Sequence, residues 1–179
     1  VTLQPDATSG IDTWALNYSG FNNRNNGTNV ALSVGRNGVG EFERAWLKFD
    51  VSSIPSSAIV SSATFSVYLT ADNATASDTY RVFRVKQAWT EGTGNFAVTG
   101  NGVTWLTYDG TNNWQTAGGF GANDCEQTDI GFASFSASET LNVFKDFALA
   151  CAAHRRLSSV GDVAILCEEV RRSFQGEME

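Results

Sequence analysis

The chain has only two prolines, three cysteines, one histidine and one methionine among its 179 residues, and its twelve Lys and Arg are outnumbered by nineteen Asp and Glu. Each shortage removes a class of function. Cys125, Cys151 and Cys167 show no C-x-x-C or finger-like spacing, so a zinc site is not expected and at most one disulfide can form. Buried thiols at Cys151 and Cys167 and a Cys151–Cys167 bridge both stay open. The single histidine, His154, is followed by Arg155 and Arg156, which suits a cationic helix C-terminus better than a catalytic centre. No G-x-S-x-G, H-E-x-x-H or EF-hand loop occurs to support a hydrolase or metalloenzyme template. A net charge of -7 without a stripe of Lys and Arg repels phosphate backbones, so nucleic acid is not an expected partner. No apolar run approaches the roughly 20 residues of a spanning helix, so membrane insertion is not expected. The opening at Val1, straight into strand-like sequence, is what a mature or excised domain would show.

What the chain does have is glycine, seventeen in all, with frequent Ser, Thr and Asn, 42% hydrophobic residues and only 17% charged ones. That composition suits short strands joined by polar turns, and the length suits one domain spanning residues 1–179. Ala63, Phe65, Val67 and Leu69 alternate with Thr64, Ser66 and Tyr68, the period of a half-buried strand. In the same way Ala45, Leu47 and Phe49 are expected inward and Arg44, Trp46 and Lys48 outward. Val30, Leu32 and Val34 are expected inward on a strand pairing with that one across Gly35 to Gly40. Further strands are predicted at 12–16, 80–86, 103–108, 132–136 and 162–168. One amphipathic helix is predicted over 142–157, where Val143, Phe144, Phe147, Leu149 and Leu157 recur at helical spacing.

The run Arg44-Ala-Trp-Leu-Lys-Phe-Asp50, followed in order by Ile54-Pro55, Ser62-Ala-Thr-Phe65, Trp89-Thr-Glu91 and Val103-Thr-Trp105, resembles the DNRLRE-domain family. That resemblance implies an all-β jelly-roll sandwich of two antiparallel sheets, with the short helix near the C-terminus. It also implies a non-catalytic carbohydrate-binding role on secreted or surface-attached proteins, such as alginate lyases and disaggregatase-related proteins, with an attached enzyme domain as a partner. Ser173 to Glu177 resembles the segment before the family's last strand, and no such strand follows Glu179. The vacancy implies a rival role, a subunit of an extracellular filament or adhesin in which neighbouring identical chains complement one another's sheets.

Sugar recognition needs aromatic faces for stacking and short polar or charged groups for hydroxyls and carboxylates. On the alternation, Arg44, Trp46 and Lys48 share one outward face, and Arg84 and Lys86 lie opposite the core-facing Phe83 and Val85. These five are the expected carbohydrate-binding residues, suited to a uronate-rich polymer because guanidinium groups grip carboxylates bidentately. The plainer alternative is that they are solvated strand residues. Trp89, Glu91 and Trp105 are expected to be structural. Trp114 could stack on a sugar or plug the sandwich. Glu91 and Asp50 are the carboxylates a glycosidase reading would use. Asn123, Asp124, Glu126 and Asp129, or Asp72, Asn73 and Asp78, could serve a structural calcium ion or simply make turns. Asn17, Asn26 and Asn73 each begin a glycosylation sequon.

Overall fold

The computed structural model describes residues 1–4, 10–37, 40–150, 163–168 and 174–177. Among them are nine strands: β1 (Ile11–Leu16), β2 (Leu32–Asn37), β3 (Glu41–Phe49), β4 (Ala63–Asp72), β5 (Asp78–Arg84), β6 (Gly131–Phe135), β7 (Val143–Leu149), β8 (Val163–Glu168) and β9 (Phe174–Glu177). All pairings are antiparallel. They trace two layers, β1-β3-β8-β5-β6 and β2-β9-β4-β7. The layers meet at two corners with short pairings, three residue pairs between β2 and β3 and two between β6 and β7. A jelly-roll sandwich fits this arrangement.

The inner faces enclose a first core of Leu32, Val34, Ala45, Leu47, Phe65, Val67, Leu69, Tyr80, Val82, Phe135 and Phe147. In β4 the expected alternation holds, with Phe65, Val67 and Leu69 buried and Thr64 and Ser66 exposed. A second core lies on the other face of the first layer, where Ala15, Trp46, Phe83 and Val85 meet Trp89, Val103, Trp105, Trp114 and Cys125. The long excursion from Val85 to Ile130 therefore covers a sheet face, and β3 is buried on both sides, as strands of a covered sheet are.

Four expectations need correction. Val143–Leu149 is strand, not helix: Val143, Lys145, Phe147 and Leu149 face inward or partly inward, while Phe144, Asp146 and Ala148 are exposed, a strict period of two. The helical spacing arose from the exposed Phe144, and the rest of that prediction, residues 151–157 with His154, lies outside the described residues. The segment 103–108 is a loop, because the Thr104 hydroxyl accepts the N–H groups of Leu106 (3.1 Å) and Thr107 (3.0 Å) that a ladder would need. Val30 is 82% exposed. Asn29 Oδ1 accepts the Ala31 N–H at 3.2 Å, and this Asx turn delays β2 to Leu32. Finally, Phe174–Glu177, expected only to precede the last strand, is itself a strand, β9, which pairs with β2 on one side and β4 on the other.

Candidate functional site

The five expected carbohydrate-binding residues do not assemble. Trp46 is 0% and Arg44 6% exposed, because the face they share lies under the Val85 to Ile130 layer. Trp46 stacks on Trp114 with centroids 5.6 Å apart and planes 15° apart. The Arg44 guanidinium lies 4.8 Å from the Trp105 centroid and 5.1 Å from that of Phe120, and its Nη1 donates to the Gly118 carbonyl at 2.7 Å. Lys48 is half-buried on the same face. Arg84 and Lys86 are exposed but belong to the opposite face. Phe83 aligns with Trp46 through Leu166, and Arg84 aligns with Leu47 through Ile165. Arg84 is paired with Glu126 at 2.9 Å, and Lys86 Nζ donates to the Ala122 carbonyl. Their expected separation from Phe83 and Val85 holds, but β8 lies between β3 and β5 and no joint cluster forms.

The covering layer is locked by side chains that replace backbone pairing. Asp124, 2% exposed, accepts the N–H groups of Gln115, Thr116 and Gly121, each at 2.9 Å, so its carboxylate organises a turn. Trp114 Nε1 donates to the Thr104 carbonyl at 3.1 Å. The Asp72 carboxylate likewise serves turns, accepting from Ala74 and Glu139 N–H. No group of three or more His, Cys, Asp or Glu suited to a metal occurs among the described residues. Trp89 and Trp105 sit in the second core, and Cys125 is a buried thiol there. Cys151 lies outside the described residues.

At the β1 end, Asn25 and Asn26 form a buried knot. Asn25 Nδ2 donates to the carbonyls of Glu91 (2.6 Å) and Val103 (2.9 Å), and its Oδ1 accepts the N–H groups of Gly27 and Gly94. Glycine is required around it: Gly102 has φ +80 and a Cβ there would stand 2.3 Å from Gly92 Cα. Asn26 Nδ2 donates to the Trp14 carbonyl and its Oδ1 accepts the Phe96 N–H, both at 2.9 Å. This buries the Asn26 sequon, and the Asn17 amide is also engaged, bonded to Gly40 and Phe42.

The knot presents a row of aromatic rings that sequence reasoning missed. Phe96 stacks between Trp14 (6.4 Å, 24°) and Phe21 (5.4 Å, 27°), and Phe21 and Phe96 are each 37% exposed. Phe96 has φ +53, a left-handed conformation that costs a non-glycine residue about 1–2 kcal/mol and is held here by its neighbours. The Arg24 guanidinium lies 4.8 Å from the Phe21 centroid and 4.6 Å from that of Phe96, and Nη1 donates to the Phe96 carbonyl at 2.7 Å. Arg24 makes no ion pair with a described carboxylate, whereas Arg81, Arg84 and Lys145 are each paired with one. The only sequence signal was Phe21 and Arg24 standing among Asn and Gly, a loop composition that ordinarily means turns.

Nearby, the Asp12 N–H donates to Glu91 Oε1 at 3.1 Å. Burial, reinforced by the neighbouring Glu91 charge, pushes the Asp12 carboxyl up to about 6, and burial also raises Glu91. Asp50 differs: the Ser52 N–H and hydroxyl hold it below its usual range in an exposed turn.

Among curated proteins no relative matches the chain. The model of carbohydrate-binding module family 96 matches residues 6–117, more than half of the chain, a span that includes β1 to β5, the Asn25–Asn26 knot, the aromatic row and much of the covering layer. On that match, the chain belongs to carbohydrate-binding module family 96.

Proposed function

We propose that the chain is a non-catalytic module that holds an extracellular, uronate-rich polysaccharide such as alginate. The observation that carries this reading is membership of a carbohydrate-binding family through residues 6–117. The acidic class is supported by Arg24, a cation without a carboxylate partner among the described residues, set against partly exposed aromatic rings. Arg44 and Trp46 contribute from beneath, by holding the covering layer on the sheet. Placement outside the cell follows from where such polymers lie. No helix among the described residues is long and apolar enough to cross a membrane.

Affinity electrophoresis through gels containing alginate, pectin, xylan or a neutral glucan tests the reading. Retardation by alginate or pectin, weakened as salt is raised, is the expected result. Retardation by neutral polymers alone would remove the acidic class, and none by any polymer would remove the binding role. Release of reducing ends or unsaturated uronates from the same polymers would show that the module is an enzyme.

A further inference from the structure

We propose that the row Trp14, Phe96 and Phe21, crossed by the Arg24 guanidinium, is the seat for a carboxylated sugar residue. Phe21 and Phe96 offer the apolar contact for the sugar ring, and Arg24 binds its carboxylate. The proposal rests on the polysaccharide-binding reading above and places it beside strand β1, on residues other than the five expected from sequence.

Three observations converge on this place. First, large rings left partly in water forgo burial, and here two of them stand side by side, 5.4 Å between centroids. Second, they are fixed in advance. The Phe96 N–H is held by Asn26 and its carbonyl by Arg24, and the flanking Asn25 and Ala97 exchange backbone hydrogen bonds at 2.8 and 3.2 Å. A left-handed phenylalanine clamped on both sides is a rigid, pre-organised platform, and such strain is found where a side chain must be presented. Third, the Arg24 side chain makes a single hydrogen bond among the described residues, to the Phe96 carbonyl. Its Nε is buried, and the remaining N–H groups of the two terminal nitrogens, unused among the described residues, match a carboxylate in shape and charge.

Two other exposed aromatic residues supply the comparison. Phe132 and Phe144 are 59% and 56% exposed on the outer faces of β6 and β7. Phe132 lies beside Arg81, which is already paired with Asp129, and Phe144 packs edge-on against Tyr68.

The test is isothermal titration of the chain with an alginate oligosaccharide and with a neutral xylo-oligosaccharide, using Phe21→Ala, Arg24→Gln, Phe132→Ala, Phe144→Ala and the Arg84→Ala/Lys86→Ala pair. Thermal melts confirm that each variant folds; Phe21 is partly exposed in a turn and tolerates truncation better than the clamped Phe96. The proposal expects Phe21→Ala and Arg24→Gln each to weaken uronate binding by about tenfold or more, with the remaining variants at wild-type affinity. Any neutral-sugar binding should respond to Phe21→Ala and not to Arg24→Gln. Wild-type uronate affinity in both Phe21→Ala and Arg24→Gln overturns the seat. If the loss then appears in the other variants, the polysaccharide-binding reading survives at another site. If the wild-type chain binds neither probe, both fall together.

Discussion

Asp12 and Glu91 show how one residue's environment sets the pH response of the fold. The ordinary aspartate value is 3.8 and Asp12 stands near 6, so the folded chain holds this proton more tightly than the unfolded chain does. The stability this group contributes is complete below 3.8 and is lost as pH rises through about 6, opposite in sign to Asp50, Asp109 and Glu139, whose values are lowered. Asp12→Asn is therefore expected to melt above the wild type at neutral pH, and the gap is expected to close in acid. Melting temperatures of both proteins across that range check it. Arg44 and Trp46 carry a lesson at the same scale. Their face of β3 was legible from alternation, but not that a second layer covers it, because period two reports which side a residue is on and is silent about what lies there. A hint was available: three of the five tryptophans, Trp89, Trp105 and Trp114, fall between Val85 and Ile130, more apolar area than a solvated loop would carry.

Among elements, β4 was the most legible, since Phe65, Val67 and Leu69 alternate with exposed or half-buried residues. β7 was lost because Val143, Phe144, Phe147 and Leu149 fit a helical stripe as well as a strand with one exposed ring. In a short apolar segment only the tertiary partner decides, here β4 along seven residue pairs. The segment 103–108 failed for the opposite reason, a strand-like pattern overruled by a threonine that consumes backbone donors. The aromatic row was illegible because the turn holding Phe21 and the strained Phe96 stand 75 positions apart in sequence. The covering layer rests on Trp46. Trp46→Ala is expected to cost about 3–5 kcal/mol and to expose the Val85 to Ile130 segment to cleavage. Limited proteolysis at a temperature where the variant is still folded checks this. Cleavage confined to other loops would show that the layer holds without its central ring.

For the whole molecule, the circuit of pairings joins β3, β2, β9, β4, β7, β6, β5 and β8 and returns to β3. With β9 in place, light scattering on the eluting peak is expected to give the mass of one chain at micromolar concentration. A mass that grows with concentration would mean that β9 is exchanged between copies. The order in which the circuit can close follows from the order of synthesis. β8 enters between β3 and β5, and β9 between β2 and β4, and these are the last two of the described strands in chain order. A ribosome adding about 5–20 residues per second delivers every other strand first. Until the final segments emerge, both sheets stand open, each with a gap the width of one strand. The nascent protein must be kept from filling those gaps with a neighbour's strand, which makes its birth, more than its finished form, the stage at which it is most exposed to aggregation.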